Sequence, residues 1–378
     1  MEINLSKKDL LNGLEKTLSV VERRNTMPSL NHALLDVKDE TLQISATDLE
    51  IFVSSSIPCR TLLEGRIAVP ARNLYDIVKE SDDKKEIFIK VTESNRVEIR
   101  SGKSFFKLMG LSADNFPHFK TSPKGQLSAG KLKTKEFLRL LQQTEHCICN
   151  EEYRYALTGI YFESLLSEEG NGQVLKTTAT DGHRLALMES PVDKIGNLDL
   201  KKGLIIPKKG AVELRKLLES TEEDTFELTC DENLLRAHVG VNKLWIRPID
   251  SEYPDCKRVI PKGLPSKLTV DKKELLTGLR RMSLLVSDRS MVVTFDFKKD
   301  HVTLSTNNPD LGEAIDEIPA KFEGQEVKTG FNVRFFIEAL NNFHGDKMEI
   351  CLGEKLQPAL LKSVDDPGFQ IVIMPMRL

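Results

Sequence analysis

The sequence predicts an α+β protein made of three tandem copies of one domain, each with two helices laid on an antiparallel sheet. Three observations predict it. The 378 residues exceed what a single hydrophobic core organises. A helical passage recurs nearly letter for letter at the two ends of the chain. Behind each copy the same kinds of segment follow in the same order, at intervals of roughly 130 residues, far longer than a solenoid repeat.

The recurring passage is SKKDLLNGLEKTLSVV from Ser6 and DKKELLTGLRRMSLLV from Asp271. A weaker copy, KEFLRLLQQTEHCI from Lys135, keeps the acid followed by two apolar residues and loses the glycine. Leu10, Leu14, Leu18 and Val21, and again Leu275, Leu279, Met282 and Val286, form the apolar stripe of an amphipathic helix. Ser6 ahead of Asp9 and Asp271 ahead of Glu274 read as N-caps. Next come β-rich runs broken by turn formers around Asp or Asn: LQISATDLEIFV (42–53), VLKTTATDGHRLAL (174–187) and VTLSTNNPDLGEA (302–314). A second helical segment follows in each third, VPARNLYDIVKE (69–80), IPKKGAVELRKLLES (206–220) and FNVRFFIEALNN (331–342). Strand-like runs close the units, such as EIFIKVTE, NRVEIRS and SFFKLMG in the first. The copies divide the chain at 1–125, 126–256 and 257–378, each long enough to own a core.

Composition excludes several classes. Hydrophobic residues make up 40% and charged residues 29%, ordinary for a globular protein. No apolar run approaches the roughly 20 residues of a membrane span, and MEINLSKKDLL lacks the apolar core of a signal peptide, so a cytoplasmic protein is expected. The six cysteines, at 59, 147, 149, 230, 256 and 351, include no CxxC pair, which points away from disulfides and structural zinc. The chemically suggestive stretch is TTATDGHRLAL, with Asp181, His183 and Arg184 within four positions. The other histidines, 32, 118, 146, 238, 301 and 344, are isolated, and HExxH, GxGxxG and Walker patterns are absent. No catalytic residue, metal or cofactor is therefore expected. Asp181-Gly182 reads as a tight hairpin turn with a positive φ at Gly182, displaying the next strand at a sheet edge.

A net charge of −3 argues against a basic coat, yet the cations gather in or beside the helices. They include Lys7, Lys8, Arg24 and Arg72 in the first third, Lys135, Arg139, Lys209 and Arg215 in the second, and Lys272, Lys273, Arg280 and Arg334 in the third. Acids fall in loops such as ESDDKKE, SEEGNG and STEEDT. Repetition in all three copies predicts a shared positive lining made by the helices.

TATDGHRLAL, YPDCKRVIP (253–261) and the terminal VIMPMRL (372–378), in this order and with the threefold repeat, resemble the bacterial DNA polymerase III β subunit family, the sliding clamps. The resemblance spans the whole chain. It implies the DNA clamp fold and a head-to-tail homodimer closing a six-domain ring, helices inside and sheets outside, around double-stranded DNA. Twelve helices about 10 Å wide would line a circumference of about 120 Å, a hole roughly 35 to 40 Å across. It implies a non-catalytic processivity factor whose partners are the replicative polymerase α subunit, the clamp loader, other polymerases, mismatch-repair proteins and ligase. A specialised paralogue that sequesters an inhibitor, or a metal-dependent hydrolase using Asp181 and His183, are the competing readings.

Carried over residue by residue, the resemblance assigns DNA contacts to Arg24 and to Arg154 and Tyr155 of the loop EEYRYALTG. The helix cations Lys7, Lys8, Arg72, Lys135, Arg139, Lys272, Lys273 and Arg280 join them. The loop departs from the family at Ala156, where a second aromatic is common, and at Glu151, where an amide stands in relatives. A client-peptide pocket is implied at Leu157, Thr180, Gly182, His183, Arg184, Leu185, Pro254, Arg258 and Val259, completed by Val372, Ile373, Met374, Pro375, Met376, Arg377 and Leu378. Flexible methionines suit a groove that accepts differing Leu and Phe anchors. The dimer interface is implied at Lys103, Phe106, Leu108, Leu284 and Leu285, where pairing across subunits would also cover an exposed strand edge.

Overall fold

The computed structural model describes residues 1–21, 27–117, 119, 128–166, 172–191, 196, 198, 200, 202–231, 233–287, 291–354 and 356–377. One order of elements runs three times through it. The first third contains β1 (Glu2–Ser6), α1 (Lys7–Leu18), β2 (His32–Lys38), β3 (Thr41–Thr47), β4 (Ile51–Pro58), β5 (Arg60–Leu63), β6 (Gly65–Pro70), α2 (Ala71–Lys79), β7 (Glu86–Val91), β8 (Arg96–Ser101) and β9 (Ser104–Met109). The second contains β10 (Ser128–Lys133), α3 (Thr134–Glu145), β11 (Gly159–Leu166), β12 (Gln173–Thr180), β13 (Arg184–Pro191), β14 (Leu204–Pro207), α4 (Lys208–Glu219), β15 (Thr225–Cys230), β16 (Leu235–Val239) and β17 (Asn242–Ile246). The third contains β18 (Ser266–Asp271), α5 (Lys272–Met282), β19 (Val292–Phe297), β20 (His301–Asn308), β21 (Gly312–Glu323), β22 (Val327–Asn332), α6 (Val333–Asn342), β23 (Lys347–Leu352), β24 (Ala359–Lys362) and β25 (Phe369–Ile373).

The strands of each third fall into two antiparallel groups, and groups of neighbouring thirds fuse. β4 pairs with β17, Phe52 opposite Trp245, and β13 pairs with β25, Leu185 opposite Val372. The resulting orders are β5-β1-β7-β8-β9, then β10-β15-β16-β17-β4-β3-β2-β6, then β14-β11-β12-β13-β25-β24-β23-β18-β21-β20-β19-β22. β21 is long enough to serve two groups, with Gly312–Pro319 on β20 and Ala320–Glu323 on β18. The molecule accordingly has two compact units, Met1–Lys135 with Gly196–Asp199 and Val212–Pro248, and Glu136–Ile195 with Leu200–Ala211 and Ile249–Leu378. The middle third is shared out because its outer strands hydrogen-bond to strands of the other two.

The helices begin where the caps predict. Ser6 Oγ accepts from Asp9 N at 3.1 Å, and Asp271 Oδ1 accepts from Lys273 N at 2.9 Å and Glu274 N at 3.0 Å. Leu10, Gly13, Leu14 and Thr17 are the buried face of α1, and Leu275, Gly278, Leu279 and Met282 that of α5. Leu18 and Val286 are only half-buried: α1 stops at Leu18, so Val20 and Val21 enter the core from the turn beyond, and α5 has ended before Val286. The glycine of the repeated Leu-Leu-x-Gly-Leu lets each helix lie close on its sheet. A Cβ at Gly13 would come 2.9 Å from Ile44 Cδ1, and one at Gly278 would come 2.7 Å from Ile318 Cδ1. No helix among the described residues is long and apolar enough to cross a membrane.

Removing the α5 cap tests this reading of the repeat. Asp271→Ala strands two helix N–H groups and is expected to lower stability by about 1 kcal/mol, read as a lower urea midpoint; an unchanged midpoint would show that the cap is idle.

Candidate functional site

The TDGHR stretch forms the hairpin between β12 and β13. Gly182 has φ 85°, and a Cβ there would meet Arg154 Nη1 at 2.7 Å, so the position suits glycine twice over. Asp181 Oδ1 accepts from the backbone N–H of His183 and of Arg184, each at 3.0 Å, and Oδ2 accepts from Arg184 Nε at 3.1 Å. Thr180 Oγ1 donates to Arg184 O at 2.6 Å and accepts from Gly182 N at 3.0 Å. Both Asp181 oxygens are thus spent on turn geometry, an arrangement that fixes a backbone and leaves little for a general base. The strand after the turn is not displayed at an edge, as its sequence suggests; β13 is hydrogen-bonded on both sides, to β12 and to β25.

Strand register sorts the expected pocket residues by face. Thr180, Leu185 and Val372 lie side by side on one face, where Leu185, Leu187, Leu360 and Val372 form a buried cluster with Cys256, Ile260, Leu264 and Cys351 against it. Pro254, Arg258 and Val259 are exposed in the covering segment, and Leu157 is half-buried. Met374 and Pro375 are half-buried, Met376 and Arg377 exposed, and Met374 N donates to His183 O at 2.9 Å. Leu378 lies outside the described residues.

Arg184 and Ile373 pair with each other on the reverse, helix-bearing face, and they do not join this surface. Arg184 Nη1 donates to Glu338 Oε2 of α6 at 2.5 Å and Nη2 to His146 O at 2.6 Å, with the guanidinium 4.4 Å from the Phe335 ring. Burial opposes the Glu338 charge, yet hydrogen bonds from Arg334 and Arg184 hold its carboxyl below the usual range. Arg184 therefore anchors the hairpin from behind. Phe335, with the exposed His183 ring stacked 6.5 Å away, is a neighbour that sequence reading missed. The signal was the doublet Phe335-Phe336: adjacent helical residues cannot share one face, and Phe336 is the buried one.

The expected cations separate into those exposed at the surface, of which Arg280 also donates to Asn341 Oδ1 at 3.4 Å, and those turned into the fold. Lys8, Arg72, Lys135, Lys273 and Arg280 are exposed on or beside helices. Lys7 donates to Ser81 O at 2.6 Å and Asp83 at 2.5 Å, its side chain only 13% exposed. Arg139 is paired with the fully buried Asp366, which also accepts from Gln143 Nε2 and His344 N, and Lys272 donates to Phe343 O at 2.9 Å. Those three turn their charged ends toward partners within the fold. Arg154 donates to Asp181 O at 2.8 Å and pairs with Glu151 at 3.0 Å. Tyr155 is exposed, and so, at 77%, is Tyr153, which the sequence reading passed over. Arg24 lies outside the described residues.

Among the one-sided strands of the described residues, two are the counterparts of the strands that join neighbouring thirds. β9 pairs only with β8, and Lys103, Phe105, Phe106 and Met109 are exposed there, with Leu108 half-buried. Gly312–Pro319 of β21 pair only with β20, beside exposed Leu311 and Ile315 and near the exposed Leu284, with Leu285 half-buried.

Models of the DNA polymerase III beta subunit match the N-terminal domain at residues 1–120, the central domain at 131–255 and the C-terminal domain at 257–377. The chain is 32% identical over 379 residues to the beta sliding clamp of Caulobacter vibrioides and 30% identical over 380 residues to that of Haemophilus influenzae, covering all of each. It is similar to the crystal structure of the DNA polymerase sliding clamp from Caulobacter crescentus (TM-score 0.91, 31% identity, 100% of both chains). It is also similar to the sliding clamp, DNA polymerase III subunit beta, from Bartonella birtlesii bound to griselimycin (TM-score 0.92, 33% identity, 100% of both chains).

Behind the hairpin, both ring nitrogens of half-buried His146 are shielded from solvent, and neither has a partner among the described residues. Burial first, then the Arg184 charge, with Glu338 opposing, lowers its pKa to about 3. That lies below the value of the unfolded chain, near 6.5, so the stability of the neutral ring is full above that value and drains as pH falls from it toward the folded pKa. By about pH 5 the loss is about 2 kcal/mol. His146→Leu is expected to remove that part of the acid sensitivity, seen by comparing urea midpoints at about pH 7.5 and about pH 5; equal losses in both proteins would contradict it.

Proposed function

The chain belongs to the DNA polymerase III β subunit family, and from that premise we propose that it works as a DNA sliding clamp and processivity factor. Two copies close head to tail into a six-domain ring, helices inside and sheets outside, with duplex DNA through the hole. One observation supports this above the rest. The fourth-strand edge of the first third is filled by the last strand of the second, β4 on β17, and that of the second by the last strand of the third, β13 on β25. By the same rule the bare edge of β21 calls for the last strand of a first third, and β9 is the last strand left over. A second copy supplies it, and the rule applied twice closes a ring. Phe106, Leu108, Leu284 and Leu285, with Phe105, Leu311 and Ile315, are then the apolar contacts of the interface, and Lys103 stands at its rim.

Enclosure makes tight contacts unnecessary. Lys8, Arg72, Lys135, Lys273 and Arg280 attract phosphates without reading sequence, with Arg24, Arg154 and Tyr155 as further contacts. A negative net charge keeps DNA from adhering elsewhere. The chain acts as three domains, 1–125, 126–256 and 257–378, in the cytoplasm, as a non-catalytic subunit of the polymerase III holoenzyme.

Clients dock as short extended peptides on the surface beside the hairpin. Leu157, Thr180, Leu185, Pro254, Arg258, Val259, Val372 and Met374 to Leu378 form it, with Gly182 and His183 at its lip and Arg184 holding the turn. The polymerase α subunit, the clamp loader, other polymerases, mismatch-repair proteins and ligase compete for that one site per subunit.

Retention of loaded protein on circular and on linearised plasmid tests encirclement: it should persist on circles and escape from free ends, and equal loss from both would refute the ring. Deleting Met374 to Leu378 should abolish binding of a client peptide while sedimentation still reports a dimer. Intact peptide binding would remove the terminal segment from the pocket.

A further inference from the structure

The sheet face that carries Thr180, Leu185 and Val372 continues past them. Two residues further along the strands, Tyr161, Thr178 and Leu187 lie side by side, and two further still Glu163, Lys176 and Glu189 do so. The segment Tyr253 to Ile260 covers these rows. Between it and the sheet is a cavity of about 300 Å³, lined by Tyr161, Glu163, Lys176, Thr178, Leu187 and the covering segment. Pro254 borders both this cavity and the surface assigned above to client peptides.

Its lining offers donors whose own acceptors are distant or missing. The Lys176 side chain is 8% exposed, and its nearest carboxylate oxygens, on Glu189 and Glu163, stand 3.5 and 3.9 Å away. Those distances balance the charge but lie at or beyond the limit of a good hydrogen bond. The Tyr253 hydroxyl is buried, and although the Thr180 backbone N–H approaches its oxygen, no acceptor among the described residues takes its proton; its ring is held in place by parallel stacking on Tyr161, centroids 4.9 Å apart. Cys256 adds a third donor: burial, then Asp255, pushes its thiol up to about 11, so it keeps its proton. Buried donors without acceptors are costly, and an incoming acceptor satisfies them. Because two glutamates already offset Lys176, a neutral acceptor fits better than an anion.

We propose that this cavity is a second subsite for client peptides, taking a main-chain carbonyl of a residue that flanks the apolar anchors. The proposal rests on the client-pocket reading. Successive rows along antiparallel strands are about 6.8 Å apart, the advance of two residues in an extended chain. A peptide extended along the strands therefore brings the second residue beyond an anchor to Tyr253 and the fourth to Lys176.

The test measures dissociation constants for a five-residue peptide with Leu and Phe anchors, and for the same peptide extended by Ser-Ala-Ser-Ala at its N- or C-terminus, on the full-length protein. One extension should tighten binding by about fivefold, the worth of one net hydrogen bond. Tyr253→Phe should erase most of that gain while leaving the core peptide's affinity and the melting temperature unchanged, because the lost hydroxyl donates to nothing in the unliganded fold. Core binding without gain from either extension, or a Tyr253→Phe effect equal on core and extended peptides, overturns the subsite and leaves the pocket standing. Failure of the core peptide to bind overturns the pocket reading and this one with it.

Discussion

An unfilled strand edge is the constraint on which the rest of this molecule depends. Backbone N–H and C=O groups along a strand need partners, and a bare edge invites whatever strand comes near. Each third of the chain meets that need by lending its last strand to its predecessor, β17 to β4 and β25 to β13. Domain repetition thereby becomes sheet continuity, while β9 and Gly312–Pro319 of β21, the counterparts of these strands at the two ends of the series, pair on one side only.

Charge is divided between cations held in the fold and cations left at the surface. Several helix cations are withdrawn into the fold, Lys7 by Asp83 and Arg139 by Asp366. The exposed remainder, Lys8, Arg72, Lys135, Lys273 and Arg280, is spread over helices of all three thirds. Scattered exposed cations give shallow, sequence-independent attraction, whereas a dense patch would make each phosphate contact a barrier to movement. The loop at Glu151 to Tyr155 shows the same economy, with the Arg154 guanidinium tied to Glu151 and to Asp181 O.

The acid–base cluster of the hairpin is architecture. Asp181 holds the turn, Thr180 locks its two ends, and Arg184 reaches through the sheet to Glu338 on α6. Buried, fully hydrogen-bonded polar groups of this kind specify one conformation. A peptide surface needs that rigidity, because affinity built from a few apolar anchors is lost when the walls themselves must be ordered on binding.

Much of this was legible in the sequence. The repeated Leu-Leu-x-Gly-Leu passage, the caps Ser6 and Asp271 and the Asp-Gly turn are local, and local chemistry decides helices, caps and turns whatever surrounds them. Composition and periodicity do not say which face of β13 each residue takes in the assembled sheet, and register sets Arg184 and Ile373 on the face opposite Leu185 and Val372. Nor could they say that Arg139 meets a buried carboxylate 227 positions away, or that Tyr253 is stacked on Tyr161. The sequence by itself determined the repeated elements and the family. Only the tertiary structure decided which charges remain free and which edges stay open, because both depend on partners brought together from distant parts of the chain.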